Sequence, residues 1–130
     1  MPATTKTATQ MVDEAKQRIE NLAPDQLAAE LQHADVLLVD LREADERTNN
    51  GAIPGAVHAP RGMLEFYADP ANEDHRPEFD PTRRTILYCA GGARSALAVE
   101  TLQQLGYIDV AHLEGGFTAW IRAGRAVIPA

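Results

Sequence analysis

The sequence predicts a three-layer α/β/α fold with a small, mainly parallel sheet and an extra N-terminal helix. Residues 36–40 (VLLVD) and 85–89 (TILYC) are continuously apolar rather than alternating, the pattern of strands covered on both faces. Helical periodicity occupies the stretches around them, and strands alternating with helices build layered α/β domains. A chain of 130 residues holds one hydrophobic core and can bury enough surface to fold without disulfide or metal.

The elements follow in order. Residues 1–8 are small and polar, a frayed start. Met11, Ala15, Ile19 and Leu22 recur at helical spacing and predict a helix over about 9–22. Its stripe fits burial on its own domain or on a second copy. Pro24 at a first-turn position opens a second helix with Leu27 and Leu31 on one face. The first buried strand ends at Asp40, the second at Cys89. Between them, residues 68–82 hold three prolines and five acids without periodicity, a solvated connection or a flap. Residues 95–105 predict a helix stopped by Gly106, residues 108–111 a short strand, and residues 116–123 a last helix ended by Gly124.

Composition excludes several functions. The net charge of −7 leaves little from which to build a nucleic-acid-binding face. No run approaches the roughly 18 apolar residues of a membrane span, and the first residues lack the apolar stretch of a signal peptide, so the cytoplasm is the expected compartment. The only lysines are Lys6 and Lys16, so any anion met later in the chain meets arginine, backbone N–H groups or a helix N-terminus. Cys89 is the lone cysteine, and His33, His58, His75 and His112 fit no ligand spacing; neither a metal nor a cofactor is expected.

The chemistry concentrates in Cys89-Ala90-Gly91-Gly92-Ala93-Arg94-Ser95, which joins a buried strand to a helix. Two glycines let successive N–H groups turn inward, and the helix start adds unpaired donors and a positive dipole end. Arg94 adds a cation. A free thiol is only a few per cent ionised at neutral pH, and making thiolate the major form asks for roughly 3 kcal/mol of differential stabilisation. Amides, dipole and arginine together are a source of that size, so Cys89 reads as a nucleophile rather than an inert core thiol.

These residues resemble the single-domain rhodaneses, the sulfurtransferase family whose active loop reads C-x-x-G-x-R, matched by Cys89, Gly92 and Arg94. Val39-Asp40-Leu41-Arg42-Glu43 is similar to the family's D-x-R-E segment. Gly51-Ala52-Ile53-Pro54-Gly55-Ala56 resembles its G-H-I-P-G-A turn, with Ala52 in place of the usual His. Residues 113–120 (LEGGFTAW) resemble its closing L-x-G-G-x-x-x-W. The resemblance spans about 22–130 and leaves 1–21 as a helical extension. It implies that Cys89 takes a sulfane sulfur from a donor such as thiosulfate, holds it as a persulfide, and yields it to cyanide, a thiol or a protein acceptor.

On that resemblance the expected substrate-binding residues are Ala90, Gly91, Gly92, Ala93 and Arg94, with Arg42 either steering anions or pairing with Glu43 or Asp45. Arg94 is expected to support the loop and attract anions. Asp40 is expected to orient backbone, Arg61 to be solvated, and Trp120 to sit in the core or cap the sheet edge. A persulfide relay or a non-catalytic binding module is the alternative. Phosphatase or arsenate reductase chemistry is disfavoured, because four residues separate Cys89 from Arg94 where the C-x5-R loops of phosphatases have five. The oligomeric state stays open.

Overall fold

The structure, a computed structural model, describes residues 5–33 and 35–130. Of the expected frayed start, residues 1–4 lie outside it, and residues 5–7 are irregular. Five strands form one sheet in the order β1-β5-β4-β2-β3, every neighbouring pair parallel. The strands are β1 (Glu20–Leu22), β2 (Leu37–Asp40), β3 (Val57–His58), β4 (Thr85–Tyr88) and β5 (Val110–Leu113). The helices are α1 (Ala8–Arg18), α2 (Pro24–Glu30), α3 (Ala44–Asn50), α4 (Leu64–Ala68), α5 (Ala93–Gln104) and α6 (Gly116–Arg122).

Alternation along buried strands sorts the side chains into two cores. Leu37, Val39, Leu87, Cys89 and Val110 face Leu64 of α4 and Ala98, Val99 and Leu102 of α5. Leu38, Ile86, Tyr88, Ala111 and Leu113 face Leu27 of α2 and Phe117 and Trp120 of α6. Trp120 is therefore core, as expected, with its indole N–H on the Ala126 carbonyl at 2.8 Å.

The N-terminal helix is shorter than its periodicity predicts. Thr7 caps it, its hydroxyl accepting from Gln10 N–H at 3.1 Å while Gln10 accepts from Thr7 N–H at 2.8 Å. It ends at Arg18, where the Asn21 amide donates to the Lys16 and Ile19 carbonyls at 2.9 and 3.2 Å. Glu20–Leu22 is then an edge strand on β5, not a last helical turn, with Asn21 opposite His112. Ile19 and Leu22 fit the helical stripe by spacing, yet they reach opposite faces of the sheet. α1 lies along α5 of its own chain, and Arg18 grips Glu100 there through two 2.8 Å bonds.

Two other boundaries move. α5 begins at Ala93, so Arg94 and Ser95 lie in its first turn, and β5 starts at Val110, leaving Ile108 79% exposed in the preceding turn. α3, β3 and α4 had no apolar periodicity to announce them; α3 buries no residue at all. Residues 69–84 are irregular, apart from turns.

The topology places the site. The chain passes from β2 outward to β3 on one side, and from β4 to β5 on the other. The adjacent carboxyl ends of β2 and β4 therefore flank a crevice from which the connections diverge, the usual ligand position in open parallel sheets. Asp40 and Cys89 stand at those two ends.

Leu87 lies fully buried on the central strand. Leu87→Ala is expected to cost 2–5 kcal/mol, on the order seen for core truncations, as a lowered urea midpoint at unchanged denaturant slope.

Candidate active site

The β4–α5 turn holds the Cys89 sulfur among donors. Gly92 N–H reaches Sγ at 3.2 Å and Ser95 N–H at 3.4 Å, with the Ser95 hydroxyl oxygen at 3.6 Å. Gly92 makes the turn at φ +100°, a region costly for any side chain, and a Cβ there would stand 3.1 Å from the Gly115 nitrogen. The loop's carbonyls are tied down from behind. Phe117 N–H donates to the Cys89 carbonyl at 2.9 Å and Thr118 N–H to the Ala90 carbonyl at 3.0 Å. That brace needs Gly116, because a Cβ there would lie 2.6 Å from both carbonyl oxygens.

The N–H groups of Ala90, Gly91, Ala93 and Arg94 find no acceptor among the described residues. With the start of α5 they give the turn an anion-favouring character. Cys89 itself is 1% exposed, with Gly91 and Ala93 exposed beside it.

The arginines are committed elsewhere. Arg94 turns from the loop to α3 and binds Glu46 through two bonds of 2.8 and 2.9 Å. The Arg94 hydrogen bonds hold the Glu46 carboxyl down to about 2 against the opposing effect of burial. Arg94 thus supports the loop with its charge balanced. Arg42 corrects the expectation: its guanidinium is buried rather than presented at the loop, and it pairs with neither Glu43 nor Asp45. It is 1% exposed, grips Asp40 at 3.0 and 2.9 Å, donates to the Gly51 carbonyl at 2.7 Å, and lies 4.2 Å from the Phe117 ring. Asp40, fully buried, also accepts from Arg47 and the Tyr88 hydroxyl. Burial alone would raise its carboxyl, but the bonds from Arg42 and Tyr88 bring it below the ordinary range. Arg61, expected to be solvated, is part-buried on Glu65.

Behind the sulfur runs a buried polar chain that no motif announced. Ser95 Oγ lies 2.8 Å from His112 Nδ1, and His112 Nε2 lies 2.7 Å from Asn21 Oδ1. His112 is fully buried, and burial pushes its pKa down to about 4 despite Glu114 nearby. The available signal was one polar residue, His112, inside the apolar run of β5. Among the described residues no three His, Cys, Asp or Glu side chains converge as metal ligands.

The Rhodanese-like domain family matches residues 23–123. This chain belongs to that family. A sulfurtransferase of Allochromatium vinosum is 36% identical over 72% of this chain and 79% of its own length. A thiosulfate sulfurtransferase of Shewanella oneidensis, GlpE, is 31% identical over 79% of this chain and 93% of its own. Coverage of other relatives is smaller; a tRNA uridine(34) hydroxylase from Bartonella bacilliformis is matched over 32% of its length. A solved structure from Rhodopseudomonas palustris, described as a protein of unknown function and possible tyrosine phosphatase, superposes with a TM-score of 0.89. It is 43% identical, with 98% of both chains covered. The two sulfurtransferase relatives support a transferase role within the rhodanese-like family.

The family's turn histidine is replaced without loss of order. Ala52 is buried and exchanges backbone hydrogen bonds of 2.8 and 2.9 Å with Ile128, so that position anchors the C-terminal segment. Among the described residues no helix is long and apolar enough to cross a membrane.

Two tests follow from this geometry. Arg42→Ala leaves Asp40 buried with its main counter-charge gone, and urea unfolding is expected to show a loss of about 3–5 kcal/mol. The second concerns pH. An unfolded imidazole takes up a proton near pH 6.5, while folded His112 resists until about 4, so unfolding is coupled to proton uptake. Its contribution is fully present above about pH 6.5 and is lost as pH falls towards 4, with a slope of at most about 1.4 kcal/mol per unit. His112→Asn is expected to flatten that slope in unfolding midpoints measured across the same window.

Proposed function

We propose that the chain moves a sulfane sulfur from a donor such as thiosulfate to a thiophilic acceptor, cyanide or a thiol, through a persulfide on Cys89. The observation that carries this reading is the Cys89 sulfur inside a short turn whose amides at Gly92 and Ser95 reach it, with further N–H groups beyond it unclaimed.

The Cys89 thiolate attacks the outer sulfur of thiosulfate; the sulfur–sulfur bond breaks and sulfite leaves with its electron pair. The new persulfide carries its charge on the terminal sulfur, where the amides of residues 90–94 stabilise it without reorganising. Cyanide or a thiolate then attacks that sulfur, and the bonding pair returns to Cys89 Sγ. Splitting the transfer at a covalent intermediate replaces one difficult step by two easier ones.

A sulfur relay to or from a protein thiol is the second reading, favoured by the Arg94–Glu46 pair. With that charge balanced and a net charge of −7, attraction of a small dianion falls to the loop amides and the start of α5 alone. Phosphatase activity, suggested by the description of the Rhodopseudomonas structure, fits less well: the loop is one residue short of C-x5-R, and Arg94 lies on Glu46 rather than over the loop.

Cys89→Ser is expected to abolish thiocyanate formation from thiosulfate and cyanide while leaving the unfolding free energy within about 1 kcal/mol of wild type. Turnover persisting in that variant, or hydrolysis of p-nitrophenyl phosphate by the wild type in place of sulfur transfer, would refute this reading.

A further inference from the structure

The hydrogen-bond chain behind Cys89 has a fixed direction. The Asn21 amide nitrogen faces two carbonyls, those of Lys16 and Ile19, so its oxygen must face His112. His112 Nε2 therefore carries a hydrogen and donates it to Asn21, which leaves Nδ1 bare. The Ser95 hydroxyl, 2.8 Å away, donates to Nδ1 and turns its lone pairs towards the Cys89 thiol at 3.6 Å. Cys89, Ser95 and His112 are each no more than 1% exposed, so no bulk water mediates these links.

We propose that the Cys89 thiol proton leaves inward along this chain, Ser95 passing it and His112 receiving it as a positioning residue that acts through Ser95. This rests on the sulfur-transfer reading only for the role given to Cys89. The step balances. The S–H bond breaks with its electrons kept on sulfur, and the Ser95 oxygen takes that proton while giving its own to Nδ1. The products are a thiolate, an intact hydroxyl that now donates to it, and an imidazolium.

A second observation supplies the counter-charge. Glu114 Oε2 is the one buried side-chain polar atom without a hydrogen-bond partner among the described residues, and it stands 4.0 Å from His112 Nε2. Its charge favours an imidazolium at that distance, while the Nε2 hydrogen stays on Asn21. The other Glu114 oxygen holds Lys16 at 2.8 Å. The charged and titratable groups around His112 are thus Cys89 at the end of β4, Glu114 after β5 and Lys16 of α1, with the neutral Ser95 of α5 and Asn21 of β1. Lys16 opposes protonation, whereas Glu114 and a newly formed thiolate favour it. Burial keeps His112 neutral in the resting protein and opposes its charging, so the imidazolium forms only as the ion-pair partner of the nascent thiolate, with Glu114 beside it.

The test is alkylation of Cys89 by iodoacetamide, a neutral reagent, in the full chain at pH 7 and pH 9.5. His112→Asn keeps an acceptor towards Ser95 but cannot take a proton; Glu114→Gln removes the counter-charge at a partly exposed site. At pH 7 the first is expected to react about tenfold more slowly than wild type and the second about threefold, with both within twofold at pH 9.5, where hydroxide, admitted together with the reagent, replaces His112 as the base. Wild-type rates at pH 7 in both variants would overturn the relay. So would equal slowing at both pH values, which marks distorted packing. If His112→Asn does not fold, Glu114→Gln decides alone on the same readings. A wild-type protein that is alkylated as expected yet takes up no sulfur from any donor would count against sulfur transfer and leave the relay standing.

Discussion

Two hydrogen bonds from the first turn of α6, Phe117 N–H to the Cys89 carbonyl and Thr118 N–H to the Ala90 carbonyl, hold the reactive turn in shape. A chain leaving a buried parallel strand carries carbonyls and amides that must both be satisfied. Here the carbonyls are satisfied from behind, by a neighbouring helix start, and that frees the amides for the sulfur side. The arrangement tolerates no side chain at Gly116, and Gly92 completes it with a left-handed turn packed against Gly115. The closing Leu113–Trp120 segment is thus part of the active loop's architecture, though it lies more than twenty residues away in sequence.

Charge is divided between structure and chemistry. Asp40 gathers Arg42, Arg47 and the Tyr88 hydroxyl at one buried point, joining the end of β2 to α3 and β4. Removing one member would strand the others in a low-dielectric interior, which makes the cluster structural rather than a substrate clamp. Arg94 fastens the first turn of α5 to α3 through Glu46. Stabilisation of anionic sulfur then falls to fixed backbone dipoles, which act at close range whatever the net charge of the protein.

Much of this was legible in the sequence. Unbroken apolar runs gave β2 and β4 because burial on both faces leaves no room for alternation, and the Gly-Gly turn after Cys89 marked the reactive loop. β1 was hidden because three residues at a sheet edge carry too little pattern to compete with the helical spacing that Ile19 and Leu22 also satisfy. Arg42 was misplaced because sequence shows a charge near a strand end but not that Asp40, two residues earlier, turns back to meet it. The chain from Ser95 through His112 to Asn21 joins three separate elements, and only pairing of β1 with β5 brings Asn21 beside His112. No local motif can encode such a meeting.

The most direct test of the central idea is the intact mass of the wild-type protein after exposure to thiosulfate and other sulfane donors. A persulfide held by the loop amides requires a gain of one sulfur atom that maps to Cys89 and disappears on treatment with dithiothreitol. An unchanged mass with every donor, or the same gain in Cys89→Ser, would contradict it.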